Sequence, residues 1–234
     1  MLVKTYMPVN YLHSLLHRVE RGWDPIPASY AQEYAARAWR ETRPAVVEQL
    51  DQKLGGLKGK RVLDLGGGPA QYSVLFAERG AVVTWHDVSR EYEAIGRSRA
   101  QAAGVNLTFS MGYLEAASRF EAEPFDLVFC RVCAYYSRSD RSFVRMLYSL
   151  VKPGGIGYIE CNTPAFARPD GLRKLQYWLN EHFYWKIGHP MPPHGRIAKL
   201  VQKYPMTSLA LDYSSELIDI VTFVKPQASA APRS

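Results

Sequence analysis

The sequence predicts a doubly wound α/β domain, a mostly parallel sheet with helices packed on both faces. Three observations predict it. Short β-favouring runs alternate with helical apolar patterns from residue 61 to residue 161, a rhythm that belongs to parallel sheets. The first run ends in the glycine-rich turn Gly66-Gly67-Gly68-Pro69. The chain has 234 residues, 47% of them hydrophobic and 22% charged, enough for one sizeable core and too apolar for a disordered chain.

Residues 1–54 read as a helical N-terminal appendage. Its first part carries a helical apolar pattern at Tyr11, Leu12, Leu15, Leu16 and Val19 and closes at the breaker-rich Trp23-Asp24-Pro25-Ile26-Pro27. Helices from about Ser29 to Arg40 and from Pro44 to Leu54 follow, before the Gly55-Gly56 turn. A core spans residues 55–161. Its strands are expected at Arg61 to Leu65, Ala81 to His86, Asn106 to Phe109, Phe125 to Cys130 and Ile156 to Cys161. Helices are expected after the glycine turn through Val74, Leu75 and Phe76, from Arg90 to Gly104, and from Ser139 to Val151, the last stopped by Lys152-Pro153-Gly154-Gly155. Residues 162–206 form an insert rich in aromatics, proline and histidine, with an amphipathic helix first and then a rigid loop that enters another helix. Residues 207–226 supply the final strands, around Leu209 to Leu211 and Ile218 to Val224, and 227–234 a frayed tail. All are expected to form one domain.

The formal net charge is +7. Lysine and arginine are spread thinly, without a run of five, so a generally basic surface is favoured over a nucleic-acid stripe. No uninterrupted apolar run approaches the roughly 20 residues that a membrane helix needs, and no apolar core with a small-residue cleavage site opens the chain. Cys130, Cys133 and Cys161 all lie in apolar stretches, the pattern of reduced thiols rather than a disulfide framework. A cytoplasmic protein is expected. Cys130-x-x-Cys133 has a spacing used by metal and redox pairs, but no second pair exists and Cys161 has no neighbouring histidine, so no metal is expected.

In an open α/β sheet the ligand sits at the carboxyl ends of the strands. Here Asp64-Leu65-Gly66-Gly67-Gly68 follows a strand and opens a helix, the context in which glycines let a backbone approach a ligand and free N–H groups face it. Asp87 ends the second strand, 87 − 64 = 23 positions after Asp64. A carboxylate there can accept both ribose hydroxyls of an adenosine. Asp64 stands immediately before the glycines, where a pyrophosphate would be repelled and the ammonium of a methionine moiety attracted.

These residues resemble the class I S-adenosylmethionine-dependent methyltransferases of the small-molecule type. The matching pieces are Val62-Leu63-Asp64-Leu65-Gly66-Gly67-Gly68-Pro69, Trp85-His86-Asp87-Val88-Ser89, Gly112-Tyr113-Leu114-Glu115, Phe125-Asp126-Leu127-Val128 and Leu150-Val151-Lys152-Pro153-Gly154-Gly155, in order and at workable spacing. The resemblance implies seven strands with an antiparallel last strand, and S-adenosylmethionine as cofactor. It places Asp64, Gly66 and Gly68 at the methionine end, Asp87 and Val88 on ribose and adenine, and Leu114 beside the adenine. Tyr113 stands where the family usually has an Asp that accepts from the adenine amino group, and Ala70 where it often has Gly. The backbone at Cys130-Arg131 is implied to meet the cofactor's amino group, with Tyr135 and Tyr136 facing the reaction centre. Tyr30 and Tyr34 share a helix face, and similar tyrosines in the family close over the methionine.

The insert is expected to act as a cap that excludes water and encloses a small, partly aromatic acceptor. Transfer to an O or N atom then rests mainly on alignment, worth up to ~7–11 kcal/mol in well-oriented systems. A base is needed only for a protonated nucleophile, and His194, His189 and Tyr136 are the candidates. Two other readings of the same cleft are an RNA or protein methyltransferase and a binder of S-adenosylmethionine that does not methylate. An NAD-dependent oxidoreductase is opposed by Asp64.

Overall fold

A computed structural model describes residues 16–164, 171–183, 186 and 189–227. Of the expected N-terminal helical pattern, Tyr11, Leu12 and Leu15 lie outside the described residues, as do Tyr184, Trp185, Ile187 and Gly188 of the insert and the tail from 228. A 3-10 turn at Val19–Arg21 precedes two helices, α1 (Ala28–Arg40) and α2 (Pro44–Leu54). The core then runs β1 (Arg61–Leu65), α3 (Gln71–Glu78), β2 (Val82–Asp87), α4 (Arg90–Ala102), β3 (Leu107–Met111), β4 (Phe125–Arg131), α5 (Asp140–Leu150) and β5 (Val151–Asn162). The insert contributes α6 (Gly171–His182) and α7 (Arg196–Val201), and the chain ends in β6 (Ser208–Ser215) and β7 (Ile218–Val224).

The strands form one seven-stranded sheet in the order β3-β2-β1-β4-β5-β7-β6. The first five are mutually parallel, and β7 runs antiparallel to both β5 and β6. This is the expected fold class, with the antiparallel last strand in place. The order reverses between β1 and β4, so the carboxyl ends of β1, β2 and β4 open on one crevice.

Strand alternation divides the core between two faces. On one, Leu63, Leu65, Val128, Ile159 and Val221 meet Phe143, Leu147 and Leu150 of α5 and Ile197 and Val201 of α7. On the other, Val62, Leu127, Phe129 and Tyr158 meet Val47 and Leu50 of α2 and Tyr72 and Phe76 of α3. Phe129 centres an aromatic group there, with ring centroids 5.0 Å from Tyr72, 5.2 Å from Phe76 and 4.9 Å from Tyr158. Each such side chain contributes about 1.5–3 kcal/mol by leaving water. β4, buried along all but its last residue, shows the continuous apolar run of a strand covered on both sides.

Local signals place the helix ends. Pro44 opens α2, and Gly55 closes it with φ of 67°. Ser89 and Ser139 cap α4 and α5 by accepting from Tyr92 N and Ser142 N. The structure differs from the sequence expectation at Lys152-Pro153-Gly154-Gly155, which is not a break before β5 but part of it. Phe125 pairs with Val151, and the register shifts before Leu127 pairs with Ile156. A Cβ on Gly155 would stand 2.9 Å from the Asp126 carbonyl oxygen, so only glycine lets the strands approach. β6 also extends beyond Leu211 because its antiparallel partner continues to pair with it. A stretch of 3-10 turns, Leu114–Phe120, follows β3. No helix among the described residues is long and apolar enough to cross a membrane.

His86 on β2 is fully buried, with Nδ1 2.9 Å from Ser110 Oγ and Nε2 2.9 Å from the Tyr113 carbonyl oxygen. The carbonyl can only accept, so Nε2 carries the proton and Nδ1 accepts from Ser110. Burial pushes the imidazole down to about 4. A folded-state value below the unfolded one of about 6.5 means stability is complete above pH 6.5 and falls as pH drops toward 4. The protein is therefore expected to lose roughly 3 kcal/mol from this group over that range. Urea titrations at pH 7 and pH 4.5 should show a smaller acid loss in His86→Gln than in the parent chain.

Candidate cofactor and reaction site

The turn after β1 is held from three directions. Gly66 N and Gly67 N donate to the His86 carbonyl at 2.8 and 3.2 Å. Trp85 Nε1 donates to the Gly68 carbonyl at 2.9 Å, and Trp39 Nε1 of α1 donates to the Pro69 carbonyl at 3.1 Å. A Cβ on Gly66 would lie 2.3 Å from Cys133 Sγ, so the turn can pass β4 only as glycine.

Asp87 closes the loop on β2. Its Oδ2 accepts from Gly68 N at 2.9 Å, and its Oδ1 accepts from Val88 N at 2.7 Å and Ser89 N at 3.0 Å. Burial raises this carboxyl above the usual range, against the pull of those three donors. Val88 and Leu114 flank it at the ends of β2 and β3, where Gly112 N donates to the Asp87 carbonyl.

Asp64 is 3% exposed and accepts from Ser73 Oγ at 2.6 Å. Burial raises its pKa to about 7; the Asp87 carboxylate adds to the rise, while the Ser73 hydrogen bonds and the Arg131 guanidinium oppose it. Arg131, at the end of β4, lies 3.0 Å through Nε from Oε1 of the fully buried Glu160, which also pairs with Arg43 and accepts from the Tyr158 hydroxyl at 3.1 Å. The cleft thus presents a carboxyl group on β1 and a guanidinium on β4.

Cys130 and Cys133 sit with their sulfurs 3.1 Å apart, and Cys133 Sγ donates to the Leu65 carbonyl at 3.1 Å. The Cys130 contact and burial raise the Cys133 thiol well above its ordinary value, so this is a neutral thiol packed behind the glycine turn. Among the described residues, the non-glycine residues with positive φ are Ala70, at 63°, and Val132, at 58°. Both border the cleft. Each costs about 1–3 kcal/mol, strain that sites of this kind retain. It also explains why glycine suits position 70.

The tyrosines gather above the strand ends. Tyr34 packs 6.1 Å from Tyr30 and 5.6 Å from Tyr92; Tyr136 lies 4.4 Å from Tyr135 and 4.9 Å from His189 of the insert. Tyr34 and Tyr136 interact electrostatically with each other and with Asp87. Burial raises the phenols of Tyr34, Tyr135 and Tyr136, so all three stay protonated near neutral pH. Tyr136 nevertheless keeps 52% of its surface exposed, as a residue lining an open cleft does.

Tyr113 takes another role: its hydroxyl donates to the His17 carbonyl at 2.8 Å and its ring stacks on Trp23. His194 is set apart, at the start of α7. Its Nδ1 lies 2.6 Å from Oδ1 of Asp219 on β7, whose Oδ2 accepts from Gly195 N at 2.7 Å.

One buried polar group near the site has no signal in the sequence. Asp140, at the first turn of α5, meets Lys186 Nζ at 2.7 Å, Arg196 Nε at 2.6 Å and Asn180 Nδ2 at 2.9 Å. Lys186 also donates to the Tyr135 carbonyl at 3.1 Å. Burial pushes the Asp140 carboxyl up, but Lys186 and Arg196 outweigh it and hold it below the usual range. One carboxylate thus fastens α6, α7 and the loop between them to the tyrosine turn. Asp219, Trp39 and Asp24 were missed as well. The only local sequence signal near any of them is the capping Ser139 before Asp140.

Residues 62–155 match the family described as the methyltransferase domain. The sheet order of this chain is shared with solved structures of methyltransferases, so the match and the fold agree over this part of the chain. A ubiquinone biosynthesis O-methyltransferase of Vibrio vulnificus is 30% identical over 141 residues, covering 56% of this chain and 60% of that protein. The chain therefore spans about 60% of the length of this curated relative. An O-methyltransferase family protein from Burkholderia thailandensis has the same fold, with TM-score 0.64 and 19% identity over 86% of this chain and 60% of its own. Phosphoethanolamine N-methyltransferase 2 of Haemonchus contortus, in complex with S-adenosyl-L-methionine, has it too, with TM-score 0.57 and 18% identity over 76% and 52%.

Removing the Asp140 carboxylate would leave the fully buried Lys186 ammonium without this counter-charge, a defect of about 3–5 kcal/mol. Asp140→Ala is expected to lower the urea midpoint accordingly, and Asp140→Ala with Lys186→Met to recover part of the loss.

Proposed function

We propose that this protein transfers a methyl group from S-adenosylmethionine to an O or N atom of a small, partly aromatic acceptor. The observation that carries the reading is the pair of carboxyls 64 and 87 on either side of a glycine turn that is closed to side chains at Gly66 and Gly67. Asp64 and Arg131 supply opposite charges suited to the ammonium and carboxylate of an amino acid. Asp87 is aimed by three backbone N–H groups and suits a ribose diol. When bound, the cofactor supplies an electrophilic methyl on a positive sulfur.

Within this reading, Gly66, Gly68 and Asp64 hold the methionine end, Asp87 and Val88 the ribose, and Leu114 the adenine. The Cys130-Arg131 backbone meets the amino group. Tyr34, Tyr135 and Tyr136 shape the reaction centre as neutral phenols, which can donate hydrogen bonds or offer ring faces. Residues 162–206 cap the acceptor, anchored through Asp140, and exclude water. For a hydroxyl acceptor that reaches the start of α7, Nε2 of His194 takes the proton, its Nδ1 being held by Asp219. The single domain comprises appendage 1–54, core 55–161, cap, strands 207–226 and tail. The free, buried thiols support a cytoplasmic location.

Because Asp64 must ionise to hold an ammonium, affinity for S-adenosylhomocysteine should rise with pH through about 7. Calorimetry should show binding about eightfold weaker at pH 6 than at pH 7.5, with the dependence flattened in Asp64→Asn. In an acceptor screen, His194→Ala should lower turnover of phenolic substrates on the order of a hundredfold and leave S-adenosylhomocysteine affinity unchanged. Loss of both together would assign His194 to folding, and a loss only in His189→Ala would move the base to that residue.

A further inference from the structure

The segment before α1 is tied across the carboxyl ends of β2 and β3. Val19 within it is fully buried. At the β2 end, Asp24 Oδ2 accepts from Ser89 Oγ at 3.2 Å, Arg90 N at 2.6 Å and Glu91 N at 3.2 Å, and Arg90 Nη2 donates to the Val19 carbonyl at 2.6 Å. Asp24 is thus a second cap on α4, supplied from 65 residues away. At the β3 end, the Tyr113 hydroxyl donates to the His17 carbonyl. Trp23 stacks on Tyr113 with ring centroids 6.2 Å apart and planes 23° apart, and His17 packs 5.0 Å from Trp23. Tyr113 is itself anchored, since its carbonyl accepts from His86.

These ties bracket the place where a nucleoside base must go. A ribose on Asp87 directs its base past Val88 toward Leu114, the gap between the ends of β2 and β3, and residues 17–24 are fastened on both sides of that gap. We infer that residues 17–24 form the outer wall of the purine subsite, latched by Tyr113 and Trp23 on one side and Asp24 on the other. The base is enclosed by an aromatic strap at the position where a carboxylate was expected, and the latch sets how long the cofactor and its product stay bound. This rests on the adenosine reading of Asp87 and goes beyond it.

The test measures S-adenosylhomocysteine dissociation by stopped flow for the parent chain, Tyr113→Phe, Trp23→Ala and Asp87→Ala. Trypsin cleavage at Arg18 and Arg21 is followed by mass spectrometry with and without the ligand. Tyr113→Phe removes one hydroxyl and keeps the ring, and a thermal midpoint without ligand checks that each variant is folded. The expected result is dissociation fivefold or more faster in Tyr113→Phe and in Trp23→Ala. Cleavage at Arg18 and Arg21 should be slowed about tenfold by the ligand in the parent chain and less in the two variants. Parental dissociation rates in both variants, or cleavage indifferent to ligand, would overturn the strap; if Asp87→Ala has meanwhile lost binding, the adenosine reading stands without it. Parental affinity in Asp87→Ala would overturn both.

Discussion

The geometry of the cleft depends on one carboxylate. Asp87 sits at the end of β2 and accepts from the backbone of Gly68 in the glycine turn and of Val88 and Ser89 at the entry to α4. It thereby couples two consecutive β-α units whose strands are already in register, Leu65 beside His86. The turn can then be sharp, because Trp85 and Trp39 hold its carbonyls while Asp87 holds its N–H. What results is a fixed concavity whose polar groups are oriented before any ligand arrives, which is what binding at a sheet's topological switch point requires.

Around it, charge is arranged in depth. Glu160, buried between Arg43 and Arg131, keeps the Arg131 guanidinium at the edge of the cleft rather than in solvent. Asp64 faces it across the strand ends as a carboxyl near its titration point. On the opposite side of the sheet, Asp140 gathers Lys186, Arg196 and Asn180. Such a group adds little net stability compared with an apolar core, and its value lies in specifying one position for the insert. Because Lys186 also reaches the Tyr135 carbonyl, the insert and the tyrosine turn share one anchor.

Much of this was legible in the residues. The glycine turn after an apolar run, the acid 23 positions beyond Asp64 and the strand–helix rhythm are short-range signals, and the sheet follows them with shifts of one or two residues at β2 and β3. The larger miss, Lys152 to Gly155, shows the limit of such signals. Glycine and proline there read as a stop, yet the glycines admit a neighbouring strand. Tyr113 illustrates a different limit. Its departure from the family pattern was visible, but its partners His17 and Trp23 lie some ninety residues earlier.

What the sequence by itself determined is most of the elements, the class of sheet and the glycine turn and acid at its strand ends, because these depend on periodicity, turn chemistry and spacing within a few tens of residues. Only the tertiary structure decided which polar groups meet. It brought Asp24 to α4, Asp140 to Lys186 and Asp219 to His194, and set His189, rather than His194, against Tyr136. These contacts join segments that approach only once the apolar faces have stacked. A charge or hydroxyl carries no local mark of the partner that packing will bring to it.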